Sequence, residues 1–444
     1  MIQRIALLFI ITGAGHIISI LSLRFLALAA DSKQVAGMAE FESLIQLIIG
    51  LVGFGMQSEA IRNISLNDKW KEKFDQAQTS RLTLSIILSS LVVLSFSNKF
   101  YMCFLIAPLF AMNADYALYA RGLSFAGTLI AFIRVVFPLM LGAVSLHYWP
   151  HFLLEIYVVA TIVIYLITNL LIASLLEVSL LFRPSLGSLL LYIKTIPLGI
   201  ISLSFYFFGL GFILFAKFFF DVKDMVILFV AMKFYLIYKG AIRVIHQAFI
   251  GQMTVEEVCL SIDKISMALG FLFLGSVIIF PVTFISMFFG SQFIHNQFFF
   301  VYLSISALIF GVFGSATTRV ILERHDLKFM KVSIAAVLVS IVCLLVIVQF
   351  SLKVEVAILS LLLGELFFTI LSAFLFFSRS AILNRISFIL IGLLGLVFPC
   401  ISRLVFSQNV VSYFVSMALL GLFLLSFINR DFKLAKIKTK DFEK

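Results

Sequence analysis

One segment of the chain carries an aromatic ring and several cations on a single helical face. Tyr235, Lys239 and Arg243 follow one another at four-residue intervals. His246 and Gln247 continue the series for one more turn, and residues spaced in this way share one face of a helix. Two cations could take up the charge of an anionic headgroup while the ring stacks on a sugar. The alternative is that Arg243 and His246 anchor the helix at a membrane interface.

Other polar and ionisable residues interrupt long apolar runs of the sequence. Such residues are costly inside a membrane and are usually functional, although some snorkel or pair. The candidates for a substrate cavity are Tyr235, Lys239, Arg243 and His246 of the series above, together with Arg24, Arg134, Glu42 and Gln46. The candidates for binding a coupling ion or proton are Glu365, His16 and Asp115.

Each of these candidates has a less functional alternative. Arg24 could snorkel toward the interface, and a buried His16 is more often structural than a proton carrier. Arg134 needs a counter-charge, for which Asp115 lies at a suitable depth. Glu365, taken as the only deep carboxylate of its half of the chain, could bind an ion or proton or stay protonated and hydrogen-bonded.

A second polar face combines Glu42 and Gln46 with Gly50, Gly53 and Gln57 at helical spacing. These residues could line a sugar path. The glycines could equally allow close packing of helices, which is their commoner role in membranes.

Composition identifies the surroundings of these residues. The chain has 444 residues, of which 62% are hydrophobic and 12% are charged, and 52 are Phe. An ordinary soluble domain has about twice that share of charge. Four widely separated Cys exclude a disulfide scaffold. The net charge is +11, and the basic residues lie between the apolar runs. Membrane topology therefore explains their excess better than binding of nucleic acid does.

The apolar runs predict an all-α polytopic membrane protein with about fourteen spanning helices. A helix needs about 20 mainly apolar residues to cross the hydrocarbon. The predicted spans are 5–29, 35–62, 82–97, 100–120, 123–147, 152–176, 197–220, 224–249, 267–290, 298–322, 330–350, 354–378, 385–403 and 410–429.

Lys and Arg are distributed unequally between the two sets of span ends. Twenty-one lie at one set of ends and in the C-terminal tail, and six lie at the other. Positive charge favours the cytoplasmic side, so both termini are predicted to be cytoplasmic. Glu59 and Arg62, near one of these ends, are expected to form a simple surface pair.

The order of the predicted spans and the segment that interrupts them divide the chain into two similar halves. The segment 177–196 predicts an amphipathic linker at the interface. The second and eighth spans end alike, in Ala60-Ile61-Arg62 and Ala241-Ile242-Arg243. The predicted domains are a lobe at 1–176, the linker at 177–196, a lobe at 197–378, two appended helices at 379–429 and a basic tail at 430–444.

This layout and the segment from Gly53 to Arg62 (GFGMQSEAIR) resemble the polysaccharide exporters, and more narrowly the O-antigen flippases of the multidrug/oligosaccharidyl-lipid/polysaccharide (MOP) exporter superfamily. The resemblance implies a MATE-like, V-shaped two-lobe transporter in the bacterial inner membrane. It would move an undecaprenyl-pyrophosphate-linked oligosaccharide, an O-antigen or capsule repeat unit of lipopolysaccharide biosynthesis, to the periplasmic leaflet. Its expected partners are this substrate, membrane lipids and the polymerase and chain-length regulator of the pathway.

Two other functions remain open at this point. A drug or cation antiporter would have the same fold, although its acidic sites are not clearly present. A membrane-embedded polymerase or ligase would need a large external loop, whereas the predicted external turns are short. The sequence contains no nucleotide loop, metal-ligand spacing or hydrolase motif, so we expect a non-enzymatic protein without cofactor or metal.

Overall fold

The protein is helical in the computed structural model. The structure describes residues 2–66, 69–95, 105–249, 253, 255–350, 354–406 and 409–442, and these residues contain no β-strand. The predicted all-α fold is therefore confirmed.

The first half of the described chain contains ten α-helices, several of them short. They are α1 (Ile2–Ala29), α2 (Ser32–Gly53), α3 (Met56–Leu66), α4 (Trp70–Ser95), α5 (Ala107–Ala111), α6 (Asp115–Ala120), α7 (Ser124–Tyr148), α8 (Leu153–Leu176), α9 (Leu190–Tyr206) and α10 (Phe212–Ala216).

The second half contains ten more. They are α11 (Val222–Phe249), α12 (Glu256–Ile279), α13 (Pro281–Phe288), α14 (Gln297–Val312), α15 (Ala316–Leu322), α16 (Asp326–Gln349), α17 (Val354–Phe376), α18 (Arg379–Gly395), α19 (Val397–Phe406) and α20 (Val410–Phe442). Residues 430–442 of the predicted tail thus continue α20 as a helix.

Eleven helical segments in the described part of the chain are long and apolar enough to cross a membrane. Within α1, the segment Gly13–Ala29 is a shorter apolar stretch of helix. The predicted third and fourth spans fall partly on residues 96–104, which lie outside the described residues. A multi-pass membrane fold is therefore supported, while the count of fourteen stays a prediction.

Internal contacts divide the chain into two units. Unit 1 comprises Met1–Val230 and Asp326–Ile334, and unit 2 comprises Ala231–His325 and Ala335–Lys444. The predicted domain boundaries remain predictions.

Each unit has an apolar surface suited to lipid. In unit 1, Val159, Val163 and Leu170 are exposed along α8. In unit 2, Leu338 and Val342 are exposed along α16. Contiguous apolar surface of this kind is rare on soluble monomers.

The exporter-like segment from Gly53 to Arg62 contains the break between α2 and α3. Gly55 has a φ of +75°, and a Cβ there would lie 2.5 Å from the backbone of α9, at Gly199 N and Thr195 O. A helix end leaves carbonyl groups without helical partners. Here the Tyr192 hydroxyl donates to Val52 O at 2.6 Å, and the Thr195 hydroxyl donates to Phe54 O at 3.2 Å. Glycine thus allows α9 to approach closely enough to donate hydrogen bonds to the carbonyl groups at the break.

Candidate functional site

Three helices of unit 2 bring polar side chains together around Glu365. Tyr235 and Lys239 lie on α11, Ser306 lies on α14 and Glu365 lies on α17. Residues 235 and 239 share a helix face, as the sequence predicts, and this face meets α17 in the core of the unit. Glu365 is 3% exposed and Tyr235 is fully buried.

The Glu365 carboxylate accepts hydrogen bonds from three side chains. Lys239 Nζ donates to Oε1 at 2.7 Å and forms an ion pair with it. The hydroxyl of Tyr235 also donates to Oε1, and that of Ser306 donates to Oε2. Charge-assisted bonds of this type are roughly twice as strong as neutral ones.

Two aromatic rings lie close to the Lys239 ammonium. Its Nζ is 4.3 Å from the ring centroid of Tyr235 and 4.9 Å from that of Phe310. Both distances lie in the range of cation–π attraction. In this conformation Tyr235 contacts the cation and the carboxylate, so its buried ring is not presented for the sugar stacking suggested by the sequence.

The next two residues of the α11 series, Arg243 and His246, differ in their exposure. Arg243 is exposed, as the interface alternative expects. His246 is 7% exposed, and its Nε2 has no hydrogen-bond partner among the described residues. The structure therefore brings Tyr235, Lys239 and Glu365 together but does not add Arg243 or His246 to their cluster.

In unit 1, Arg134 forms the centre of a second buried cluster. Its guanidinium donates to Thr168 Oγ1 at 2.8 Å, Asn113 Oδ1 at 2.6 Å and Asn169 Oδ1 at 2.8 Å. Asp115 Oδ2 lies 3.8 Å from Nη1, so the counter-charge expected from the sequence is present.

The ring of Tyr165 lies 4.6 Å from the Arg134 guanidinium carbon. The break between α5 and α6 places Asn113 and Asp115 beside α7, which carries Arg134. The three neutral acceptors were not identified from the sequence, because amides and hydroxyls on separate helices have no recognisable spacing.

The remaining sequence candidates also lie in unit 1. Glu42 is half-buried and accepts a hydrogen bond from the Tyr157 hydroxyl at 3.4 Å, whereas Gln46 is exposed. Arg24 and His16 are half-buried on α1.

Glu365 is not the only deep carboxylate of the second half, contrary to the sequence expectation. Asp263 and Arg385 are both 0% exposed and form an ion pair at 2.5 Å. Ser315 donates its backbone N–H and its hydroxyl to Asp263 at 2.8 and 2.7 Å. The predicted span 267–290 begins after Asp263, whereas α12 begins at Glu256 and includes it.

The pair of Glu59 and Arg62 is likewise more than a surface contact. Arg62 is 5% exposed. It donates to Glu59 at 3.0 Å and to both carboxylate oxygens of Asp326 at 3.1 and 3.2 Å, all within unit 1. A partner 264 residues away in sequence could not be foreseen from local spacing.

No group of three or more His, Cys, Asp or Glu side chains suited to a metal occurs among the residues that the structure describes. The Lys239–Glu365 pair offers different chemistry. An ammonium can exchange one anionic partner for another, and a carboxylate can take up a proton or a cation when its partner leaves.

Comparison with known proteins defines the fold. No protein-family model matches the sequence, and no curated protein matches it. Among solved structures, the chain is similar to MATE transporters. One is an outward-facing multidrug resistance MATE family transporter of the MOP superfamily, with a TM-score of 0.58 and 14% identity, covering 88% of this chain and 95% of that one. A eukaryotic MATE transporter has a TM-score of 0.53 and 12% identity, covering 87% and 98%.

The chain is also similar to the lipid II flippase MurJ in an inward closed conformation. That match has a TM-score of 0.63 and 15% identity, and it covers 99% of this chain and 100% of that one. At these identities the similarity shows the fold alone. The chain therefore has the MATE-like fold of MOP superfamily transporters.

Proposed function

We propose that this protein is a MOP superfamily transporter, not an enzyme, that moves an undecaprenyl-pyrophosphate-linked oligosaccharide from the cytoplasmic to the periplasmic leaflet of a bacterial inner membrane. The repeat unit would be destined for O-antigen or capsule. The main observation in favour is the match over essentially both full lengths to a flippase of a lipid-linked substrate. The MATE structures leave a larger part of this chain unmatched.

Lys239 is the residue that we propose to contact the diphosphate of the substrate. It combines a cation at the centre of a predicted span with a long, flexible stem and partial exposure of 15%. A diphosphate would compete with Glu365 for the ammonium. Because Glu365 can then take a proton or a cation, binding of substrate would be linked to a coupling ion.

The electrostatics also bear on the second candidate, a drug or cation antiporter. A site for cationic drugs requires an available negative charge. In unit 2 the carboxylate of Glu365 is neutralised by Lys239, and that of Asp263 by Arg385. Four of the eight cavity candidates from the sequence are Lys or Arg and one is Glu, which favours an anionic substrate.

Reconstitution into liposomes separates the two functions. The probe for the first is an undecaprenyl-pyrophosphate-linked oligosaccharide, whose transfer is followed by cleavage with an externally added glycosidase. The probe for the second is ethidium, whose uptake is driven by imposed proton or Na⁺ gradients. Protein-dependent cleavage without ethidium transport would support the proposal. Ethidium transport without transfer of the lipid-linked sugar would overturn it in favour of the antiporter.

A further inference from the structure

The cluster around Glu365 has the composition of a cation site that already holds a cation. Its carboxylate, 3% exposed, accepts from one ammonium and two hydroxyls. The hydroxyl oxygens of Tyr235 and Ser306 are 3.5 Å apart. Three donors from two other helices thus converge on one side chain of α17.

Without the ammonium, four oxygen atoms would remain around the same point. They are the two carboxylate oxygens of Glu365 and the hydroxyl oxygens of Tyr235 and Ser306. A hydroxyl that now donates retains lone pairs with which it can accept or coordinate. Carboxylate and neutral oxygens are the ligands that hard cations such as Na⁺ prefer.

The aromatic neighbours favour a single positive charge. The rings of Tyr235 and Phe310 approach the Lys239 ammonium to 4.3 and 4.9 Å, where their negative faces stabilise a cation. Glu365 contributes the one negative charge of the cluster. A buried carboxylate that loses its cation is strongly destabilising, so it recruits another cation or a proton.

We propose that the Lys239 ammonium is a built-in occupant of a monovalent cation site formed by Glu365, Tyr235 and Ser306. In the unmodified protein this site is filled by the chain itself and takes no Na⁺. When Lys239 is withdrawn, the four oxygens bind Na⁺ instead. The link to transport rests on the proposed function, because a diphosphate would be the ligand that withdraws Lys239. The cation site itself does not depend on that function.

The test measures Na⁺ binding in the absence of any lipid substrate. Lys239→Met removes the charge and keeps an unbranched side chain of similar length. Its thermal unfolding midpoint is measured in detergent in NaCl and in choline chloride at equal ionic strength. In about 200 mM NaCl we expect the midpoint of the variant to rise by about 2 °C or more, saturably, because a ligand that binds only the folded state stabilises it. The unmodified protein should show no difference between the two salts.

Two controls localise the effect. Lys239→Met combined with Glu365→Gln lacks the carboxylate and should lose the response to Na⁺. Lys233→Met removes another lysine of α11 and should not create one. Lys239→Gln provides a second vacated site, should the methionine variant not fold.

A response to Na⁺ in Lys239→Met or Lys239→Gln that Glu365→Gln abolishes would support the proposal. Equal midpoints in Na⁺ and choline for the folded vacated variants would overturn it. Stabilisation by acid alone would also overturn it, because a proton would then replace the ammonium. None of these outcomes depends on the substrate, so they are distinguishable from failure of the proposed function.

Discussion

Two cations at membrane-span depth, buried Arg134 in unit 1 and partly exposed Lys239 in unit 2, differ in their bonding. Arg134 of unit 1 donates to three neutral side chains, lies 3.8 Å from the carboxylate of Asp115 and has 5% of its side chain exposed. Lys239 of unit 2 forms a direct ion pair at 2.7 Å with one carboxylate and has 15% of its side chain exposed.

We infer from this difference that Arg134 is a structural cation and Lys239 an exchangeable one. The planar guanidinium of Arg134 donates to several acceptors at once, so any movement of it leaves all of these acceptors without that donor. Lys239 is a point charge on a flexible stem, and one anionic ligand can replace the carboxylate. We infer that the Arg134 cluster holds helices together, whereas the Lys239 cluster changes partners during transport.

Reversal of the charge at position 239 should have the largest effect on transport. Lys239→Glu places a second carboxylate beside Glu365 and repels a diphosphate, so transfer of the lipid-linked sugar in liposomes should be abolished. Lys239→Ala should lose most of the activity, and Lys239→Arg should retain some because its charge remains. Transfer by Lys239→Glu at the unmodified rate would exclude Lys239 from the substrate path.

An exchange of the two charges tests whether this loss is a folding defect. The double variant Lys239→Glu, Glu365→Lys restores an ion pair in the reverse orientation. We expect its thermal midpoint to recover relative to Lys239→Glu while transfer stays impaired. Full recovery of transfer would instead mean that the ion pair alone matters.

Substitution of Arg134 should act on stability first. Arg134→Ala leaves Asp115 without its counter-charge, and loss of one partner of a buried pair costs about 3 kcal/mol. Arg134→Lys should rescue little, since an ammonium cannot match three acceptors held by a guanidinium. The measurement is the unfolding midpoint and the amount of protein in the membrane. An unaltered midpoint for Arg134→Lys would remove the contrast between the two clusters.

Glu365→Gln should have a smaller effect on stability than the substitution of Arg134. The amide oxygen can still accept from one of the hydroxyls of Tyr235 and Ser306, and the amide N–H can donate to the oxygen of the other. The fold should therefore be retained, while the charge that holds Lys239 is lost. We expect gradient-driven transport to be blocked. The check is the dependence of transfer on pH and on Na⁺. If that dependence were unchanged in the variant, Glu365 would be a packing residue.

Single cysteines report orientation with the smallest disturbance to either cluster. In a background without native Cys, an external thiol reagent should label Ser291→Cys and spare Glu72→Cys, because the charge bias predicts that residue 72 is cytoplasmic. Both positions are exposed. Gln78 would be a poor reporter because it is 0% exposed, and Ser97 lies outside the described residues. External labelling of Glu72→Cys would reverse the predicted topology.

The residues of α11 show how far spacing alone leads toward the site. The four-residue interval correctly predicted that Tyr235 and Lys239 share a face. The same interval grouped Arg243 with them, although Arg243 is exposed. Periodicity gives the direction of a side chain around its own helix but not how far along that helix a neighbour extends.

Composition and hydropathy by themselves determined the helical membrane fold, because a lipid environment requires long apolar segments with internally bonded backbones. They also marked Lys239, Glu365, Arg134 and Asp115 as costly charges. The depth of Asp115 also predicted it as the counter-charge of Arg134. Only the tertiary structure decided the ion pairs between helices far apart in the sequence. Glu365 reaches Lys239 across 126 residues of sequence, and Asp263 reaches Arg385 across 122. Such pairings depend on the packing of distant helices, and no local pattern in the sequence encodes it.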